Sequence, residues 1–203
     1  MKTRIYLIRH GESKGNVLNI FQGWKDFDLT SNGIKQAEKL AEFMKNIDID
    51  FFYSSSLKRA FHTASIIAQK HGMSVIKKEE FKELNCGKWH GLTRQQAEQI
   101  SPEQIYNFLY DPENLSVPEG ETLLELQKRA LKGINDLKEK HPNKKICLVA
   151  HGFINKVILC SLMGKSLKKL WDFPQHNTAV NIIDFFEDES VEIVDINNTK
   201  HLY

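Results

Sequence analysis

Ile5-Tyr6-Leu7-Ile8-Arg9-His10-Gly11 is the first apolar run of the chain, and Ile146-Cys147-Leu148-Val149-Ala150-His151-Gly152 repeats its form late in the sequence. Both runs are short and nearly continuous, as a strand buried on both faces of a parallel sheet requires. Each ends in His-Gly and is followed by a segment that can turn on the glycine. In open α/β sheets, ligands bind beyond the carboxyl ends of the strands. Two imidazoles at two such ends, one of them beside Arg9, therefore predict one shared crevice suited to a phosphate group.

Working outward from these runs, strand and helix signals alternate, the pattern of an α/β fold with a mostly parallel sheet. A loop from Gly11 to Asp28 leads to a helix that starts near Thr30 to Asn32, with Ile34, Ala37, Ala41 and Met44 at helical spacing. Asp50 to Tyr53 reads as a strand, and Ser54-Ser55-Ser56 as candidate N-caps for a helix carrying Leu57, Ala60, Ala64 and Ile67. Residues 74–77 read as a short strand. Residues 84–120 are the least regular part, with Pro102, Pro112 and Pro118. From Glu121 to Lys140 a long amphipathic helix is predicted, with Leu124 and Leu131 widening its apolar stripe despite Gly133 inside it. An apolar helix after the second His-Gly and strands near 178–186 and 191–196 complete the series. We read residues 1–203 as one domain with an inserted lid at about 84–120.

The 203 residues suffice for a sizeable core. Hydrophobic residues at 41%, charged ones at 27% and a net charge of +2 fit a globular chain with no general attraction to nucleic acid or membrane. The lysine-rich stretches Lys138 to Lys145 and Lys165 to Lys169 read as solvated faces. Cys86, Cys147 and Cys160 lack CxxC spacing and read as buried free thiols. No stretch approaches the roughly 20 apolar residues of a membrane span. The apolar run between Arg4 and Arg9 is too short for a secretory signal, so a cytoplasmic protein is expected.

Arg59 follows the second strand, on the first turn of a helix, where free N–H groups and the positive dipole end already favour anions. Its planar fork pairs with phosphate oxygens. Arg9, Arg59, His10 and His151 together predict a cationic cup. A neutral imidazole is a nucleophile, and nearby guanidinium charges favour the neutral form. An acid is then needed at the leaving oxygen. Glu83, after Phe81 and ahead of the irregular segment, is best placed, with Glu12, Glu79 and Glu80 as other carboxylates. Taken singly, each histidine also fits a hydrogen-bonded structural residue. His62, His71, His141, His176 and His201 read as solvated.

These pieces, with Glu12-Ser13 and Asn16, Leu29 to Ala37, Ser54 to Ala64, Glu83 to Gly91 and Pro118 to Glu121, resemble the histidine phosphatase superfamily, in its phosphoglycerate mutase-like branch. They run in family order over nearly the whole chain. The resemblance implies a three-layer α/β/α sandwich and no metal or cofactor. It implies His10 as phosphorylated nucleophile, Glu83 as proton donor, and Arg9, Arg59 and His151 as phosphate ligands. Asn16, Gln22, Gly23 and Gly152 would line the same pocket.

Phe21 to Leu29, with Trp24, is similar to the mutase loop, whereas Glu83 to Gly91 looks more like the phosphatases, including α-ribazole phosphatases. His90 stands where a Glu is common in that branch. From Gln95 to Glu121 there is no Lys or Arg, but there are six acids and the apolar or aromatic Ile105, Tyr106, Phe108, Leu109 and Tyr110. Such a lid favours a small, partly apolar phosphomonoester over bisphosphoglycerate. The expected activity is metal-independent phosphatase action. Mutase action is the alternative, and a non-catalytic phospho-ligand module ranks behind both. A homodimer through an exposed C-terminal edge strand is also allowed.

Overall fold

In the computed structural model, which describes residues 2–203, the two apolar runs become neighbouring strands. β1 (Lys2–Arg9) and β4 (Lys145–Ala150) pair in parallel, with Ile5 opposite Ile146 and Arg9 opposite Ala150. Their side chains alternate between two cores. Ile5, Leu7, Ile146, Leu148 and Ala150 point into one, while Tyr6, Ile8, Cys147 and Val149 point into the other. A strand that must satisfy an apolar layer on both faces has no polar position to spare, hence the unbroken runs.

The other strands are β2 (Phe51–Ser55), β3 (Val75–Lys78), β5 (Val180–Phe186) and β6 (Val191–Asn198), and the sheet order is β3-β2-β4-β1-β5-β6. The first four are mutually parallel, while β5 is antiparallel to both β1 and β6. On one face lie α2 (Ser31–Met44) and α3 (Lys58–Gln69), after the short α1 (Lys14–Val17). Four more helices follow on the chain: α4 (Arg94–Ile100), α5 (Pro102–Tyr110), α6 (Leu123–Lys140) and α7 (Gly152–Leu162), all feeding the opposite core. This is the expected three-layer α/β/α arrangement, with residues 84–120 folded as α4, α5 and short 3-10 turns over the α7 side.

Several local expectations need correction. Ser54 and Ser55 end β2 instead of capping α3, whose N-cap is Leu57 without a side-chain cap. The long helix starts after Thr122, whose hydroxyl accepts from Glu125 N–H in a capping box. Leu124 lies on its exposed side. Gly133 has a packing reason: a Cβ there would meet the Phe81 ring at 2.9 Å. His141 and His201 are buried. His141 stacks on Phe51 and bonds the Tyr53 hydroxyl at 2.8 Å. All three cysteines are buried and free. Among the described residues no helix is long and apolar enough to cross a membrane.

Candidate active site

The carboxyl ends of β1, β2 and β4 open on a cavity of about 390 Å³. Arg9, His10, Asn16, Gln22, Gly23, Arg59, Glu83 and Gly152 line it, so most of the expected site residues meet there. Its other wall is aromatic, built from Phe108, Phe153 and Trp171.

His10 is almost wholly buried, with Nδ1 2.7 Å from the Gly11 carbonyl. A carbonyl only accepts, so Nδ1 carries the proton and Nε2 keeps its lone pair. Burial, then the charges of Arg59 and Arg9, hold this imidazole well below the usual 6.5. The ring is therefore neutral at physiological pH. Its own carbonyl accepts from Asn177 Nδ2 at 3.1 Å and from Thr178 N–H at 3.3 Å, which fixes the turn after β1.

His151 lies beside it, edge-on, with ring centroids 5.2 Å apart. It is fully buried, and its Nε2 sits 2.8 Å from Ser55 Oγ. Its Nδ1 is buried without a partner among the described residues. Burial and the neighbouring Arg59, His10, Arg129 and Arg9 push this imidazole well below 6.5 as well. His151 thus belongs to the site through its contact with His10.

Both arginines are committed to backbone carbonyls. Arg9 donates from Nη1 to Gln175 O, and Arg59 donates to Gly23 O at 2.8 Å and Lys25 O at 3.0 Å. These are neutral acceptors; among the described residues no carboxylate pairs directly with either fork, although the Glu83 charge acts on both, and Nε of each is buried without a partner. Burial lowers both, Arg59 to about 10, which leaves them cationic at neutral pH.

The Glu83 carboxylate sits on the start of α7. Oε2 accepts from Phe153 N–H and Oε1 from Ile154 N–H, each at 3.1 Å, and Oε1 also accepts from Leu84 N–H at 2.9 Å. A carboxylate over free helix-start N–H groups is a stable local solution. Its main chain is clamped too, because the Glu83 carbonyl accepts from Trp24 Nε1 at 2.7 Å and Arg129 Nη2 at 2.8 Å. Arg129 also holds the carbonyls of Glu80 and Lys82 and pairs with Glu121.

Asn16 accepts at Oδ1 from Ser13 N–H and Asn177 Nδ2, and Gln22 accepts at Oε1 from the Ser13 hydroxyl at 2.7 Å, so each has its amide nitrogen to offer the cavity. Gly23 turns with φ 47°, and a Cβ there would come within 2.3 Å of His90 Nε2. That nitrogen accepts from Trp24 N–H at 3.0 Å. His90 therefore supports the Gly23-Trp24 turn and does not line the cavity. Of the aromatic stretch, only Phe108 reaches it; Ile105 is core, while Tyr106 and Tyr110 are exposed.

Lys156, Phe153, Trp171 and Gln175 were missed from the sequence. Lys156 had a signal, since it stands one turn after Gly152 on α7 and so shares its face. Trp171 and Gln175 come from a segment that only the fold brings near. Among the described residues no group of His, Cys, Asp and Glu gathers in a metal-ligating cluster.

This arrangement agrees with the family model for the histidine phosphatase superfamily (branch 1), which matches residues 5–199, and the chain belongs to that family. It is a phosphatase of phosphoric monoesters, the class that works through a phosphohistidine. It is 31% identical over 199 residues to phosphoserine phosphatase 1 of Hydrogenobacter thermophilus, covering 98% of this chain and 94% of that one. It is 32% identical to phosphoglycerate mutase-like protein 4 of Arabidopsis thaliana, covering 98% and 86%. Among solved structures, YhfR of Bacillus stearothermophilus superimposes with a TM-score of 0.94 at 27% identity, covering 99% of this chain and all of that one.

Proposed function

We propose that His10 Nε2 is the nucleophile of a small-molecule phosphomonoesterase. The observation that carries this is the Nδ1 bond to the Gly11 carbonyl, which leaves the lone pair on the one nitrogen that can face the cavity beside Arg9 and Arg59. Arg9 and Arg59 take the phosphoryl oxygens, with Asn16, Gln22, Gly23 and Gly152 around them and His151 supporting from behind. Nε2 bonds to phosphorus as the ester P–O bond breaks, and the Glu83 carboxylate relays the proton of the monoanionic ester to the departing oxygen. Water then attacks phospho-His10, giving one proton to Glu83, which returns it to the phosphate as it leaves. Residues 84–120 act as the lid, which contributes Phe108.

The test is hydrolysis of p-nitrophenyl phosphate with a chelator present, together with detection of an acid-labile, base-stable phosphoenzyme after an alkaline detergent quench. Turnover with a phosphoenzyme in the native protein, and neither in His10→Ala, is the expected result. Turnover that survives His10→Ala rejects the assignment, and phosphate binding without any turnover points to a binding module. Mutase action draws its support from the likeness of the Phe21 to Leu29 loop to mutases and from the phosphoglycerate mutase-like relative; interconversion of 2- and 3-phosphoglycerate without phosphate release would favour it.

The three free buried thiols support a reducing compartment such as the cytoplasm. β6 is a sheet edge with Val191 and Val194 exposed, which supports a homodimer, read by sedimentation equilibrium.

A further inference from the structure

The α7 wall of the cavity holds a cation that the steps above do not use. Lys156 stands on α7 one turn beyond Gly152 and lines the same cavity as His10. Its ammonium donates to the Phe173 carbonyl at 2.6 Å and lies 5.1 Å from the centre of the Trp171 ring. Both partners are neutral. Among the described residues Lys156 pairs with no carboxylate, unlike Arg4 with Asp184 or Arg129 with Glu121. A partly buried ammonium with two spare protons and no carboxylate in contact, only the charge of Glu83 on the same cavity, is costly to keep unless something charged visits it. Burial and the Arg9 charge hold it down at about 8, so it is still mainly charged at pH 7.

Resting on the phosphatase reading, we propose that Lys156 selects the substrate: a small phosphomonoester whose alcohol portion carries a carboxylate. The Arg9 and Arg59 forks are turned to the phosphoryl end by their carbonyl partners, which leaves Lys156 as the remaining cation on the cavity wall. A single ammonium that already donates once suits a monoanion better than a second phosphate. Phe108, Phe153 and Trp171 accommodate the short carbon skeleton between the two anionic groups.

The probes are O-phosphoserine and O-phosphoethanolamine, which differ only by the carboxylate. The native enzyme should prefer O-phosphoserine in kcat/KM, and Lys156→Met should cut that ratio at least about tenfold, mainly through KM, with Lys156→Arg restoring most of it. No preference in the native enzyme, or equal losses on both esters in Lys156→Met, overturns the assignment and reduces Lys156 to a tie between α7 and Phe173. Calorimetry separates this from the catalytic reading. On a His10→Ala background, O-phosphoserine should bind more tightly than O-phosphoethanolamine, and Lys156→Met should remove the difference, whether or not the native protein turns over either ester. Equal binding of both probes on that background also overturns it.

Discussion

The ends of β1 and β4 carry the same His-Gly signature and lie side by side in the sheet, yet the fold prepares them differently. At the β1 end, Nδ1 is anchored to a carbonyl that can only accept, so Nε2 is freed toward the cavity. At the β4 end, Nε2 is anchored to a hydroxyl, and the ring lies wholly beneath the surface with Nδ1 unpartnered. The arginines differ as well: Arg9 precedes the first histidine, whereas Ala150 precedes the second. One residue type thus yields an attacking atom in one place and a supporting ring in the other. The choice is made by which nitrogen the backbone or a neighbour takes.

The sharpest way to break this contrast is to remove each ring. His10→Ala should lower kcat by about 10⁴-fold or more and abolish the phosphoenzyme, as expected for loss of the attacking atom. Glu83 touches the helix that starts at the β4 end. Glu83→Gln should slow alkyl phosphates by about 10²–10⁴-fold but p-nitrophenyl phosphate far less, since a good leaving group needs little protonation. Equal losses on both esters would remove Glu83 from the acid role. His151→Ala should cost about 10²–10³-fold in kcat while the phosphoenzyme still forms and can be trapped. Ser55→Ala removes one hydrogen bond to His151, about 1 kcal/mol, and should slow turnover by several-fold to about tenfold.

The smallest effect is on stability against pH. His10 and His151 are held below 6.5, and burial followed by the Lys39 charge brings His201 to about 4. The unfolded chain therefore takes up protons that the folded one refuses. Their contribution is complete above about 6.5 and falls away as pH drops through and below that value. Melting temperatures measured from pH 7.5 down to pH 5 should decline, and His151→Gln should flatten the decline.

Much of this was legible from periodicity. Strands buried on both faces announce themselves as unbroken apolar runs, which located β1, β4 and the crevice between them. The α2 and α3 faces were readable from their alanines. What escaped were features set by packing between distant segments. Ser55 looked like a cap because β2 ends there, and its hydroxyl is spent on His151 and Leu57 N–H instead. His141 looked solvated, since only the fold places Phe51 and Tyr53 against it. Arg129 drew no notice in the sequence, and its grip on the carbonyls of Glu80, Lys82 and Glu83 exists only in three dimensions. The resemblance placed Gln22 and Gly23 in the pocket; it did not reveal that His90 braces their turn.

Among the described residues, the unpartnered Nε atoms of Arg9 and Arg59 mean that desolvation has been suffered there without full compensation. Any tetrahedral oxyanion able to satisfy them binds the native state alone and shifts the unfolding equilibrium, by about 2.7 kcal/mol at a hundredfold excess over its dissociation constant. Inorganic phosphate, the released product, qualifies. The polypeptide would then survive heat best when it is most inhibited, so that durability and turnover compete for one and the same cup.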